Sequence, residues 1–194
     1  AWAPWSTEMM EKKEYSVLSR VTKPFILFFA FLVTCCILIA PEILLLMGGR
    51  KYSAAKFVIP PVMVGYMFQF LYSLYVNIEF YLKKQKYIAV GTVFAAFVNI
   101  GLNALFIPKY GFIAAAYTTL ASYLLLFIVH FLIVMKLKRK GWYDDRFIII
   151  SAICSLLLVG ISQVLYSISI LRYTMIILIG GSVLFLIVIY RKNI

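Results

Sequence analysis

The chain has 194 residues, of which 64% are hydrophobic and 13% are charged, and its mean hydropathy is +0.99. Soluble domains carry about a quarter charged residues, so this composition excludes an ordinary soluble domain and favours a protein made for lipid. The net charge of +12 would suggest a nucleic-acid partner in a soluble protein, but the basic residues lie between long apolar runs, where they predict membrane topology instead.

Six apolar runs are each long enough to cross a bilayer as a helix. They are Pro24–Met47, Phe57–Leu82, Ile88–Ile107, Phe112–Met135, Phe147–Ile168 and Tyr173–Tyr190. A backbone in hydrocarbon must satisfy its own hydrogen bonds, and the short alternating segments of a membrane barrel do not occur here. The sequence therefore predicts an all-α transmembrane fold.

The runs divide the chain into four parts. Residues 1–23, which begin with Ala1 and mix charges with aromatic residues, are predicted to be an interfacial connector from a preceding lobe that the chain lacks. Residues 24–135 form four transmembrane helices. Residues 136–146 form a longer cytoplasmic loop, and residues 147–194 form a final transmembrane hairpin with a short tail.

The basic residues are distributed unevenly between the two predicted sides of the membrane. One side holds 14 of the 19 lysines and arginines, including those of the segments 12–23, 83–86, 136–146 and 191–192. Because cytoplasmic segments are enriched in lysine and arginine, both ends of the chain are expected in the cytoplasm. An even number of spans agrees with that orientation.

The third and fourth runs meet at the turn Ile107–Gly111. We expect Pro108 to end the third helix, since proline removes a backbone donor and disfavours a helical conformation at the preceding residue. Gly111 can adopt the positive φ of a tight reversal. The stretch Asn99–Tyr123 around this turn resembles the C-terminal polysaccharide-biosynthesis domain of Wzx-like lipid-linked oligosaccharide flippases, in the multidrug/oligosaccharidyl-lipid/polysaccharide (MOP) transporter superfamily.

The resemblance also includes the glycine-containing segment Pro41–Ala55 and the basic turn Asn77–Tyr87, so that it covers roughly Pro41–Tyr123. The first forty residues and the last hairpin are similar only in hydropathy. The resemblance implies a six-helix bundle that forms the second lobe of a MOP/MATE-like two-lobe transporter. Such proteins move undecaprenyl-pyrophosphate-linked oligosaccharide repeat units across the bacterial inner (plasma) membrane by alternating access, for the synthesis of O-antigen, capsule or exopolysaccharide. The implied partners are this lipid-linked oligosaccharide, membrane lipids, the missing N-terminal lobe and polysaccharide polymerase or assembly proteins, without nucleic acid, metal or cofactor.

Two other functions stay open. A multidrug or cation antiporter of the MATE branch would share the architecture but needs carboxylates deep in the membrane, and only Glu42 and Glu79 are available, both near span boundaries. The second open function is that of a helical scaffold, without transport activity, for a polysaccharide assembly complex. An enzyme is not expected, because no nucleophile and base are visible together, and the chain has one histidine.

The second predicted helix carries the main candidate site. Gln69, Ser73 and Asn77 recur every four residues, and Tyr66 extends this stripe, which either binds other helices or lines a wet cavity for sugars. Glu79 has two interpretations. It is an interfacial ion pair with Lys83, four residues on, or a protonatable or cation-binding group on the cavity wall.

Other polar residues are expected to be structural. Asn99 and Asn103 are secondary candidates for the site, although hydrogen bonding between helices is favoured for them. The row of Ala114, Thr118 and Ser122 predicts close helix packing, as do Gly180–Ser182. His130 is expected to be a hydrogen-bonded interfacial residue. Glu42 is expected to pair with Arg50 or Lys51, and the three cysteines, Cys35, Cys36 and Cys154, are assigned to packing.

Overall fold

The structure, a computed structural model, describes residues 2–137 and 141–192, with side chains through residue 181. The described residues form seven α-helices and one 3-10 helix, without strands. The α-helices are α1 (Trp2–Glu11), α2 (Tyr15–Gly48), α3 (Ile59–Tyr81), α4 (Gln85–Tyr110), α5 (Phe112–Leu137), α6 (Asp145–Ser167) and α7 (Ser169–Lys192). The 3-10 helix, Arg50–Phe57, joins α2 to α3.

Five helices of the described chain, α2 to α6, are long and apolar enough to cross a membrane. The prediction of an all-α transmembrane fold is confirmed at this level, and the chain is a multi-pass membrane protein. The sixth predicted span, Tyr173–Tyr190, falls within α7, whose side chains are described only in its first half.

The first transmembrane helix is longer than predicted. It begins at Tyr15 rather than Pro24 and continues through Pro24 and Pro41. Its 34 residues span about 51 Å at 1.5 Å per residue, more than the roughly 30 Å of hydrocarbon in a bilayer. Residues 2–23 therefore comprise α1, a short turn and the first turns of α2.

The turn between α4 and α5 also differs from its prediction. Helix α4 continues through Pro108 to Tyr110, so Pro108 does not end the helix. Proline in the last turn removes only its own hydrogen bond, which costs less than in the middle of a helix. Gly111 ends α4 instead, with the predicted positive φ of +70° and its N–H donating to the Ile107 carbonyl at 2.8 Å.

Helix α3 is the centre of the bundle. It packs against α5, α6, α2 and α1, whereas α4 packs mainly on α5 at one edge and α7 on α6 and α2 at the other. Its fully buried side chains include Met67, Phe68, Leu71, Leu74, Tyr75 and Ile78. Phe127 and Phe131 of α5 lie edge-on to Tyr75, which joins these helices in one aromatic core.

Two ends of the bundle can be distinguished. At the basic end, Tyr81 of α3 approaches Trp142, which also stacks on Tyr15 of α2. This end holds the turns after α1 and α3 and the predicted loop 136–146, of which residues 138–140 lie outside the described residues. At the other end, called the Arg172 end, Tyr166 of α6 donates to the Ile37 carbonyl of α2 at 2.6 Å.

The cysteines and the glycine pair do not pack as expected. Cys36 and Cys154 are exposed on the helix surfaces, and Cys35 is half-buried. No neighbouring atom of the described residues lies within 4 Å of a Cβ built at Gly180 or Gly181, so the packing predicted for this part of α7 is not found there.

Asp144 is the N-cap residue of α6, at the basic end. Its Oδ1 accepts a hydrogen bond from the Phe147 N–H at 3.1 Å, and its Oδ2 lies 2.7 Å from Lys23 Nζ of α2. The hydrogen bond from Lys23 and the capping bond from Phe147 hold the pKa of the Asp144 carboxyl below its usual value. This residue thus both caps α6 and attaches it to α2.

Replacing Asp144 should separate these two roles. We expect Asp144→Ala to destabilise the protein by about 1 kcal/mol, because the capping acceptor is lost, and Asp144→Ser to recover most of that loss. Since the folded pKa is the lower one, the wild-type advantage over Asp144→Ser is present above about pH 4 and disappears as the pH falls through the folded pKa. Thermal melting in detergent at neutral and acid pH measures both effects, and equal melting of wild type and Asp144→Ala at pH 7 would contradict them.

Candidate functional site

A buried acid–base pair connects α3 and α5. Glu79 Oε1 lies 2.7 Å from His130 Nδ1, and both side chains are 0% exposed. The predicted ion pair between Glu79 and Lys83 is wrong, because α3 ends before Lys83, which turns outward with a φ of +57°. His130 is hydrogen-bonded as predicted, but it lies in the interior of the bundle. We call Glu79 and His130 the buried pair.

The two outer atoms of the buried pair make no hydrogen bond to the described residues. These are Glu79 Oε2 and His130 Nε2, both shielded from solvent. A Cβ built at Gly91 of α4 would lie 2.9 Å from His130 Nε2, so only a glycine lets α4 come this close. The half-buried ring of Tyr72 lies 5.5 Å from the His130 ring.

Unsatisfied buried polar atoms are rare, and each needs a physical reason. A carboxylate and an imidazole can share or exchange a proton, and the imidazole can carry its proton on either nitrogen. The buried pair can therefore exist with different numbers of protons without moving its helices. Chemically, it is suited to binding a proton.

The polar stripe of α3 lies on a different side of the helix from Glu79. Tyr66 is 47% exposed, and Gln69, Ser73 and Asn77 are half-buried. Ser73 donates to the carbonyl of Phe70 in its own helix. The side chains of Gln69 and Asn77 make no hydrogen bond to the described residues. The structure thus groups the four stripe residues and separates Glu79 from them.

A polar cavity between α4 and α5 lies next to α3. Tyr123 of α5 lies against Gly65 of α3, 3.4 Å from a Cβ built there, and it also lines a cavity of about 250 Å³ between α5 and α4. Thr92, Asn99 and Thr119 line the same cavity. We group these residues with the stripe and call the set the polar face: Tyr66, Gln69, Ser73 and Asn77 of α3, Thr119 and Tyr123 of α5, and Thr92 and Asn99 of α4.

The asparagines of α4 bond to α5 as the sequence predicted. Asn99 Nδ2 donates to Ser122 Oγ at 3.0 Å and to the Thr118 carbonyl at 3.3 Å. Asn103 Nδ2 donates to Asn99 Oδ1 at 3.0 Å, and the Thr118 hydroxyl donates to Asn103 Oδ1. Ala114, Thr118 and Ser122 are all buried, which confirms the small-residue row as a packing surface. Asn103 is structural, while Asn99 also borders the polar face.

A second ion pair lies at the Arg172 end. The guanidinium of Arg172, a residue only 5% exposed, donates to both carboxylate oxygens of Glu42 at 2.9 and 2.5 Å and to the Leu38 carbonyl at 3.3 Å. The Tyr173 hydroxyl donates to the same carboxylate at 2.8 Å. The prediction that Glu42 pairs with Arg50 or Lys51 is wrong, since the turn to α7 brings Arg172 alongside α2. This bidentate contact holds α7 on α2.

Sequence reasoning did not connect Glu79 with His130 or recognise Arg172. The available signal was positional, since a lone histidine and a membrane carboxylate fell near the same predicted end of the fourth and second spans. Hydropathy does not specify which helices touch, so that signal could not identify the partner.

Comparison of the chain with family models, curated proteins and solved structures finds no match. The function of the polar face and the buried pair therefore has to be argued from their own chemistry.

Two glycines of α4 give a direct test of the contact above His130. Gly91→Ala would place a methyl group 2.9 Å from His130 Nε2, whereas a Cβ at Gly101 meets no atom within 4 Å. We expect Gly101→Ala to stabilise the protein by about 0.5–1 kcal/mol, as alanine does in a helix, and Gly91→Ala to destabilise it. Melting temperatures of both variants in the same detergent measure this, and equal stabilisation by the two substitutions would show that α4 does not press on His130.

Proposed function

We propose that this chain is one lobe of an alternating-access transporter whose polar face lines the transport pathway. The observation that supports this most is that Gln69 and Asn77 are unpaired within the described structure, on the surface of an otherwise apolar bundle. An amide left unpaired in hydrocarbon costs several kcal/mol. A surface of this kind is stable when it faces a water-filled cavity or a second polar lobe.

The composition of the polar face favours a sugar-containing cargo. Its residues are tyrosine, glutamine, serine, asparagine and threonine, which offer hydrogen-bond donors and acceptors without a formal charge. The rings of Tyr66 and Tyr123 add flat apolar surfaces that suit the faces of sugar rings. Together with the resemblance to Wzx-like flippases, this supports an undecaprenyl-pyrophosphate-linked oligosaccharide as the cargo, moved across the bacterial inner membrane for surface polysaccharide synthesis.

In this proposal the chain forms the second, six-helix lobe of a two-lobe MOP/MATE-like transporter. The partner lobe covers the polar face, and the cargo's lipid tail stays in the bilayer while its head crosses between the lobes. The basic end is cytoplasmic, in agreement with the positive-inside rule. Membrane lipids surround the bundle, and polysaccharide polymerase or assembly proteins receive the product.

A cation antiporter of the MATE branch is the second candidate function. One observation favours it, because Glu79 is fully buried rather than interfacial and such carboxylates serve ion coupling. The polar face argues against it, since it presents no carboxylate to a cationic drug. We therefore rank the flippase first.

Complementation of a flippase-deficient bacterial strain tests the proposed function. The complete gene that encodes this chain should restore surface polysaccharide, measured by gel or by antibody binding to intact cells. Gln69→Ala and Asn77→Ala should reduce that polysaccharide several-fold at unchanged membrane levels, because the polar face loses its free amides. Ser151→Ala is the matched control, since its hydroxyl bonds only to the Phe147 carbonyl of its own helix.

Two results would contradict the proposal. One is a wild-type gene that is expressed in the membrane without restoring polysaccharide in strains that make related glycans. The other is resistance to cationic drugs conferred by the same gene, which would favour the antiporter.

A further inference from the structure

The buried pair has no role in binding a cargo at the polar face, because neither side chain is accessible there. It nevertheless places two ionisable groups, each 0% exposed, in the interior of the bundle. We propose that Glu79 and His130 form a proton-binding site, and that this site releases and rebinds a proton as the polar face opens and closes. The role of the proton as the coupling ion rests on the proposed transport function, whereas the proton-binding site does not.

The charge of the pair depends on one proton. With Glu79 ionised and His130 neutral, the pair carries a charge of −1 at a position without solvent contact. Binding one proton makes the pair neutral overall, either as imidazolium and carboxylate or as imidazole and carboxylic acid. A single buried charge is much more costly than a hydrogen-bonded pair of zero net charge. The closed structure therefore favours the proton-bound pair.

The surrounding groups do not supply another compensating charge. Helix α4 contributes Gly91 and α5 contributes Val129 to the environment of the imidazole. On α3, Tyr72 lies beside the His130 ring, and Tyr75 donates to Asp145 Oδ1 at the start of α6 at 3.1 Å. Among the described residues, His130 is the only cationic group within salt-bridge distance of Glu79. The proton is thus the cation that neutralises this carboxylate.

Tyr72 provides a connection between the buried pair and the polar face. It follows Gln69 by three residues on α3 and is half-buried, with its ring 5.5 Å from the His130 ring. Its hydroxyl can donate and accept a hydrogen bond. If Tyr72 turns outward, water from the polar face reaches the imidazole, which stabilises the charged form of the pair and lets the proton leave. Closure expels the water and favours rebinding of a proton.

The chain offers an unusually clean test, because His130 is its only histidine. With ¹⁵N-histidine labelling and a tag free of histidine, the nuclear magnetic resonance signals of the protein in lipid nanodiscs report on this ring alone. Infrared difference spectra with ¹³C-labelled glutamate report whether a buried carboxyl group gains a proton. We expect one transition with pH, seen by at least one of these probes, in which the pair takes up one proton.

Substitutions identify the site of that transition. Glu79→Gln should displace or abolish the His130 transition, because the carboxylate that shares the proton with the imidazole is gone. Lys83→Asn is the matched control, since it removes a charge four residues away at an exposed position whose positive φ suits asparagine. The control should leave the transition unchanged.

The inference is overturned if His130 and the glutamate carboxyls keep one protonation state wherever the wild-type protein is folded. It is also overturned if Glu79→Gln and Lys83→Asn shift the transition equally. The measurement on the wild-type protein decides the matter even if Glu79→Gln does not fold.

Complementation then separates this inference from the proposed function. If the wild-type gene restores polysaccharide and folded Glu79→Gln and His130→Gln variants restore it equally well, coupling to the proton is wrong and the flippase function stands. If the wild-type gene fails to restore polysaccharide while the proton transition is present, the proton site stands and the flippase function is wrong.

Discussion

The cost of placing polar groups in a hydrocarbon environment determines how this bundle is arranged. Water is absent from the bilayer core, so each buried polar side chain needs a hydrogen-bond partner within the protein. Asn99 and Ser122 meet this requirement between α4 and α5, and Glu79 and His130 between α3 and α5. The polar contacts therefore specify which helices are neighbours, and apolar packing fills the space between them.

Helix α3 has two surfaces, and their polar side chains differ in whether they have hydrogen-bond partners in the protein. One surface is buried against α5 and α6, and its carboxylate has a protein partner. The polar face is the other, and there Gln69 and Asn77 remain available. A helix that served only as a structural element would gain stability by replacing these amides with leucine. Their presence eight residues apart on one side of α3 agrees with the proposal that a ligand or a second lobe pairs with them.

The helical fold could be predicted from the sequence because length and hydropathy are sufficient to identify a membrane helix. The pairing of side chains could not, since it depends on the rotation and neighbours of each helix. Local spacing predicted Lys83 as the partner of Glu79, yet the actual partner, His130, is 51 residues away. Asn99 was predicted correctly because its neighbour α5 follows directly across a short turn. Pro108 was misread because its effect depends on its distance from the helix end.

The Glu79–His130 and Glu42–Arg172 ion pairs differ in a way that bears on their roles. The guanidinium of Arg172 remains protonated under all conditions that a protein meets, so its bidentate contact with Glu42 is permanent unless α7 leaves α2. An imidazole loses its proton close to physiological pH, and its charge responds to small changes in its surroundings. Arginine would give a stronger and more durable contact with Glu79 than histidine does. The use of histidine at the fully buried position, where a fixed pair would be simplest, argues that the charge of this pair changes while the protein works.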